Sequence, residues 1–235
     1  MSEPVMMITG ASRGIGAATA RMAHASGYRI AATARSRDRL TPIVEELGGD
    51  AVLPIACDVT EWDQLTAAVR NIEESFGGLD VVFANAGALV NTSFRETSET
   101  PDVAAWRDMI LTNVYGVAIT ARATLPALIR RQGHLVITGS VAGTGVRPGN
   151  LYSATKWATS ALAANIRADL VGTGVRVTIV QPGIVDTDMP GPELRAKPMI
   201  AADDIARAVL YAVRQPAHVD VNELVVRPTG QDADR

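Results

Sequence analysis

Three features of the sequence predict a three-layer α/β fold, a doubly wound parallel sheet of about seven strands held between two layers of helices. Short β-branched runs alternate with longer helical patterns along the 235 residues. Most of those runs are apolar throughout, as parallel strands buried on both faces must be. The first run also feeds a glycine turn that opens a helix, the strand–turn–helix start of a βαβ unit.

The predicted strands are Val5–Ile8, Arg29–Thr33, Ala51–Ala56, Val81–Ala84, His134–Thr138, Arg176–Val180 and Glu223–Arg227. Between them lie Gly14–Ser26, Asp38–Glu46, Trp62–Ser75, Ala104–Ile129, Tyr152–Leu170 and Asp203–Val213. Each of these carries apolar residues three and four apart, the period of an amphipathic helix. No linker, repeat or low-complexity segment divides the chain, so one domain over 1–235 is expected to combine dinucleotide binding with catalysis. Two loops stand out, the polar Ala88–Pro101 and the Pro/Gly/Met-rich Asp186–Ala201. Both follow strand ends, where open α/β sheets bind ligands.

Composition narrows the function classes. Hydrophobic residues are 47% and charged residues 20%, as in an ordinary globular protein. The net charge of −3 and the absence of a Lys/Arg run argue against nucleic acid and anionic membrane as partners. Aromatics at 4% offer little for base stacking. Met-Ser-Glu-Pro leads into a short apolar run with no basic stretch before it, so no secretory signal is expected. No stretch reaches membrane-spanning length. The single cysteine, Cys57, allows no intrachain disulfide, and cytoplasmic residence is the expectation. His24, His134 and His218 share no ligand-like spacing, and no metal site is predicted.

The glycine turn reads Thr9-Gly10-Ala11-Ser12-Arg13-Gly14-Ile15-Gly16. Gly10 permits a tight turn, Gly14 lets the backbone approach a pyrophosphate, and Gly16 lets the helix pack close to the sheet. The helix start then offers free N–H groups to the anion. In NAD-binding versions of this unit an acid at the end of the second strand holds the ribose 2′-OH. Here that strand ends Thr33-Ala34-Arg35-Ser36-Arg37, with no acid. Arg35 and Arg13 could instead clamp a 2′-phosphate, which selects NADP(H).

Tyr152-Ser153-Ala154-Thr155-Lys156 opens the fifth long helix, and residues four apart share one face. A free tyrosine, with a pKa of about 10, is a poor proton catalyst near neutrality, and a neighbouring cation lowers that value. The pair is common by chance. It gains weight from Ser140, just past the His134–Thr138 strand, and from Asn113, a poor residue for the middle of an apolar helix unless its amide is needed. Asn85-Ala86-Gly87 and Pro182-Gly183 end two further strands, and Thr187 follows shortly after.

Together and in this order, these motifs resemble the short-chain dehydrogenase/reductase family, in its single-domain branch, from Val5 to about Arg227. The resemblance implies a Rossmann fold, a nicotinamide cofactor and a catalytic set that falls here on Asn113, Ser140, Tyr152 and Lys156. Beyond Gly10, Ser12, Arg13, Gly14, Ile15, Gly16 and Arg35, it implies cofactor contacts from Asp58 and Val59, from Asn85, Ala86 and Gly87, and from Tyr152 and Lys156. A segment facing the nicotinamide follows at Pro182, Gly183, Ile184 and Thr187. The implied reaction is reduction of a carbonyl to a secondary alcohol, or its reverse, on a small-molecule substrate. Ser140 and Tyr152 would bind the carbonyl oxygen, Tyr152 would donate the proton, Lys156 would lower its pKa, and Asn113 would hold a water.

Three positions depart from the family's usual pattern. Ala84 stands where a first asparagine is common. Ser140 and Tyr152 are twelve apart, one fewer than usual, which could shift the loop Thr144–Leu151. The segment after Thr187 is short, which predicts an open or shallow site. The tail Val221–Thr229 looks like bacterial NADP-dependent dehydrogenases of serine and 3-hydroxy acids and related ketone reductases. A 3-ketoacyl-thioester reductase is the alternative enzyme, and a non-catalytic NADP-binding regulator the alternative of another class. By the same resemblance the two long helices, with small residues Ala158, Ala161 and Ala164, are expected to build a homodimer or homotetramer. Arg147 could meet a substrate carboxylate, though a solvated loop arginine is the plainer reading. Leu89, Val90, Leu151, Ile184 and Met189 are candidates for an apolar substrate wall, and Trp157 is expected to pack against core or subunit.

Overall fold

The computed structural model describes residues 3–90, 92–95 and 102–231. Its strands are β1 (Val5–Thr9), β2 (Arg29–Ala34), β3 (Val52–Ala56), β4 (Val81–Ala84), β5 (His134–Thr138), β6 (Arg176–Pro182), β7 (Val185–Asp186), β8 (Ile200–Ala201) and β9 (Glu223–Val226). Its helices are α1 (Gly14–His24), α2 (Thr41–Leu47), α3 (Trp62–Phe76), α4 (Val103–Ile110), α5 (Gly116–Arg131), α6 (Leu151–Asp169), α7 (Pro192–Arg195) and α8 (Ala202–Val213).

Seven strands form one sheet in the order β3-β2-β1-β4-β5-β6-β9, and every pairing is parallel. The chain steps outward from β1 to β3, then returns to β4 on the other side of β1. Neighbouring connections therefore leave the carboxyl ends of β1 and β4 in opposite directions, and a crevice opens between them.

The alternation of β1 sets up both layers. Side chains two apart share a face of a strand. Val5 and Met7 join Leu65 and Ile72 of α3 and Val117 and Ala121 of α5. Met6 and Ile8 join Ala20 and Ala23 of α1 and Ile205 and Val209 of α8. Phe83 of β4 is fully buried in the second cluster. Burial on both faces is why these strands read as apolar without alternation.

The structure differs from expectation in three places. The predicted helix Ala104–Ile129 is α4 and α5 joined by a π-helical turn, Leu111–Tyr115. Asn113 sits at its centre, with its side chain bonded to the backbone of Ala88. A widened turn of this kind accommodates an extra residue in the helical ladder. The predicted helix Asp38–Glu46 begins as a 3-10 turn, Arg37–Leu40, with α2 after it. Pro42 lacks an N–H and falls at the start of α2, where none is needed. The segment read as the loop Asp186–Ala201 holds the strand pair β7–β8 and α7. Of the loop Ala88–Pro101, positions 91 and 96–101 lie outside the described residues. Among the described residues no helix is long and apolar enough to cross a membrane.

His134 begins β5 and is buried. Thr178 gives its hydroxyl proton to the carbonyl of Val221. It therefore accepts from His134 Nε2, 2.7 Å away, and His134 Nδ1 has no partner. Burial, aided by the charge of Arg176, pushes the imidazole down to about 3. Between about 6.5 and about 3 the unfolded chain binds a proton that the folded chain does not. Stability should therefore fall as pH drops from about 6.5 towards about 3. Urea melts across this range should show a smaller loss for His134→Gln than for wild type; an equal loss in both would contradict the assignment.

Candidate active site

The site grows from the ends of three strands. Thr9, last in β1, accepts through its hydroxyl from the N–H groups of Asn85 (2.9 Å) and Ala86 (3.0 Å). Asn85 returns its amide to the carbonyl of Thr9 at 3.0 Å and accepts from the Thr138 hydroxyl at 3.2 Å. The carboxyl ends of β1, β4 and β5 are thereby tied together. The glycine turn presses onto this knot. A Cβ on Gly16 would stand 2.2 Å from the Gly10 carbonyl and 2.8 Å from the Asn85 amide nitrogen, so only glycine fits there. Gly14, at φ +54°, takes the left-handed turn that L side chains avoid. The first turn of α1 has no side-chain cap, which leaves its N–H groups open to an anion.

A cleft of about 1040 Å³ runs from this turn across the sheet edge. Gly10, Ser12, Arg13, Gly14 and Ile15 line one end, with Arg35, Asp58 and Val59. Asn85, Ala86 and Gly87 line the middle. Ser140, Tyr152 and Lys156 line the far side, and Pro182, Gly183, Ile184 and Thr187 face them. Gly16 and Asn113 are absent from the wall and lie behind it.

Each polar residue has a defined setting. Asp58 accepts from the backbone and hydroxyl of Thr60 at 2.9 and 2.8 Å. Arg35 is exposed and, among the described residues, pairs with no acid. Arg13 is held 3.4 Å from Asp188, both side chains largely in water, a pair weak enough to exchange for another anion. Arg39 also lines this end of the cleft. Its signal in the sequence is its place four residues after Arg35 in an arginine-rich stretch.

Tyr152 and Lys156 lie one turn apart at the start of α6. Asn150 caps that helix by accepting from Ser153 N at 2.8 Å. Ser153 donates to the Ala142 carbonyl at 2.6 Å, which fastens the helix to the 3-10 turn Val141–Gly143 after Ser140. Thr92 bridges the other side, donating to Gly149 O at 2.6 Å and accepting from Leu151 N at 2.8 Å. These bonds fix the short loop between Ser140 and Tyr152, and Arg147 and Asn150 reach the cleft from it.

Lys156 is buried, donates to the Thr138 carbonyl at 2.8 Å and is driven down to about 8 by burial. Its ammonium lies 5.7 Å from the centroid of the Tyr152 ring. Burial raises the Tyr152 phenol, against the pull of a hydrogen bond with Ser140 and the charge of Arg147. Lys156 reaches back to β5, and the groups opposing burial are Ser140 and Arg147.

Asn113 is fully buried. Its Oδ1 accepts from Ala88 N at 2.8 Å, and its Nδ2 donates to Ala88 O at 2.8 Å and to Thr155 Oγ1 at 3.0 Å. Its own carbonyl accepts from Thr159 at 3.1 Å. The side chain thus braces the Asn85–Ala88 turn against α6, with both amide N–H groups engaged. Met189, Pro190, Leu194, Lys197 and Pro198 of the segment after Thr187 all line the cleft. So does the tail, where Gln231 accepts from Ile184 N at 3.1 Å; nothing in the sequence signalled this. Of the proposed apolar wall, Leu89, Ile184 and Met189 line the cleft, whereas Val90 and Leu151 do not. Trp157 is half exposed.

The family model of short chain dehydrogenases matches residues 4–197. An uncharacterized oxidoreductase of Staphylococcus aureus is 35% identical over 233 residues, covering 97% of this chain and 98% of the relative. Among solved structures, an alcohol dehydrogenase from the archaeon Thermococcus sibiricus complexed with 5-hydroxy-NADP is 35% identical, with a TM-score of 0.87 and coverage of 97% and 98%. A serine dehydrogenase in a closed form complexed with NADP+ is 30% identical, with a TM-score of 0.86 and coverage of 94% and 93%. The chain belongs to the short-chain dehydrogenase family of oxidoreductases.

Replacing Asn113 by alanine removes the side-chain partners of the Ala88 N–H and C=O and of the buried Thr155 hydroxyl. The expected cost is about 2–4 kcal/mol, read as a fall in the midpoint of thermal or urea unfolding. A midpoint equal to wild type would contradict the bracing role.

Proposed function

We propose that this chain is an NADP(H)-dependent oxidoreductase that reduces a carbonyl to a secondary alcohol, or runs the reverse, with Tyr152 as proton donor. The observation that carries this is the meeting of Ser140, Tyr152 and buried Lys156 in the cleft that the uncapped start of α1 also enters. The cleft fits the cofactor. Left-handed Gly14 lines the cleft, Gly16 lets the turn close on Gly10 and Asn85 behind it, and Arg35, which pairs with no acid among the described residues, sits where an acid would select NAD. The NADP compounds in the two solved relatives support the same choice.

In this reading the glycine turn and α1 hold the diphosphate, and Arg35, with Arg39 and Arg13, holds the 2′-phosphate. Bound nicotinamide supplies the hydride. Ser140 and Tyr152 donate hydrogen bonds to the substrate oxygen, where negative charge develops. A phenol raised by burial keeps its proton at neutral pH, which suits a donor in the reductive direction. As that proton leaves, the Ser140 hydroxyl stabilises the phenolate. Lys156, fixed by Thr138, presents its ammonium to the cofactor ribose. Asn113 acts from behind, by holding the turn after β4. The whole chain works as one unit, since the tail reaches the cleft through Gln231.

The test is NADPH oxidation against aldehydes, ketones and keto acids. Turnover is expected with at least one class, with NADPH preferred over NADH by about 10- to 100-fold from the arginine–phosphate contacts. Tyr152→Phe should lose about 10²- to 10⁴-fold in kcat with NADPH affinity retained. Equal use of NADH, or full turnover in the phenylalanine variant, would sink the reading.

Self-association through α5 and α6 belongs to the same proposal. Tyr115, before α5, and Trp157 of α6 leave large apolar surface exposed. Light scattering at micromolar concentration should report a dimer or tetramer; a monomer would contradict it.

A further inference from the structure

The reaction proposed above gives Arg147, which lines the cleft, no task. It stands on the loop between Ser140 and α6 and lines the cleft beside Tyr152, whose phenol feels its charge. The loop is pinned on both sides. Gly145 O accepts from Trp157 Nε1 at 3.3 Å. Arg147 O accepts from Asn150 N at 3.1 Å, and Thr92 clamps Gly149. An arginine carried on an anchored turn is positioned rather than waving in solvent.

Its guanidinium is nonetheless unmatched. Nε is buried and has no hydrogen-bond partner. Among the described residues no carboxylate pairs with it, while eight other arginines each hold an acid. The acids that line the cleft are engaged elsewhere: Asp58 with Thr60, Asp108 with Arg107, Asp188 with Arg13. A buried N–H without an acceptor is costly, and the cost falls away if a ligand brings the acceptor. A planar fork of N–H donors matches the two oxygens of a carboxylate.

We propose that Arg147 anchors a carboxylate on the substrate, so that the preferred substrates are oxo acids and hydroxy acids rather than neutral ketones and alcohols. This rests on the carbonyl-reductase reading and adds to it the charge of the molecule that receives the hydride.

The experiment compares acids with their methyl esters, which keep the carbonyl and lose the charge. Steady-state NADPH oxidation is measured with 2-oxobutanoate, 3-oxobutanoate and 4-oxopentanoate, each beside its ester, for wild type, Arg147→Gln and Arg147→Lys. In wild type at least one acid should exceed its ester about tenfold or more in kcat/KM, the size of a charge-assisted contact. Arg147→Gln should collapse that acid-to-ester ratio, mainly through KM of the acid. Arg147→Lys should keep part of it. NADPH affinity measured by fluorescence should match wild type in both variants, which shows that the fold and cofactor end are intact. Esters used as well as acids by wild type, or an acid preference that survives in Arg147→Gln, would overturn the anchor alone. If no compound and no neutral aldehyde or ketone oxidises NADPH, the carbonyl-reductase reading falls first and the anchor with it.

Discussion

The knot of Thr9, Asn85 and Thr138 is the constraint on which the site depends. A doubly wound sheet opens a crevice wherever its strand order reverses, but a crevice alone positions nothing. Here one threonine hydroxyl accepts two backbone N–H groups of the turn after β4, and one asparagine amide spans β1 and β5. The glycine turn packs on that amide so closely that Gly16 has no room for a Cβ. Lys156 then takes the carbonyl of the same Thr138 whose hydroxyl serves Asn85. The glycine-turn end and the Tyr152 side of the cleft are thus referred to one set of hydrogen bonds, and neither can move far without the other.

Electrostatics in the cleft run against the chain as a whole. The net charge is −3, yet Arg13, Arg35, Arg39, Arg147, Lys156 and Lys197 line the cleft against Asp58, Asp108 and Asp188. A concave, partly desolvated surface of one sign raises the local concentration of opposite charge. Such a cleft suits an anionic cofactor at one end and, through Arg147, an anionic substrate at the other. The same surplus of cations bears on Tyr152. Burial favours the neutral phenol, and the nearby positive charge and the Ser140 hydroxyl limit how far it rises. A phenol in this setting keeps its proton at neutral pH, as the proposed donor must.

Much of this was legible in the sequence because it rests on local pattern. Apolar runs such as Val81–Ala84 can only be strands buried on both faces. The spacing of Gly10, Gly14 and Gly16 after a strand marks an anion-binding turn, and the four-residue step from Tyr152 to Lys156 puts both on one helix face. What escaped depends on contacts distant in sequence. The commitment of Asn113 to Ala88 is made across 25 residues, and it makes the side chain a brace for the turn after β4. Gln231 reaches Ile184 across 47 residues from a tail with no motif. The pull of Arg147 on Tyr152 depends on how one short loop folds back, which Thr92 decides from another loop. The segment after Thr187 reads as short, and a residue count does not reveal that β7 and β8 pair or that Leu194 and Lys197 line the cleft.

The central claim is that hydride reaches a carbonyl carbon while Tyr152 protonates the oxygen, and following the hydrogen itself tests it most directly. With NADPH deuterated at the transferring position of nicotinamide, mass spectrometry and NMR of the alcohol should find one deuterium at the carbinol carbon. In deuterated water with unlabelled NADPH, that carbon should carry none. Alcohol formed without cofactor deuterium, or with solvent deuterium at the carbinol carbon, would contradict the mechanism outright.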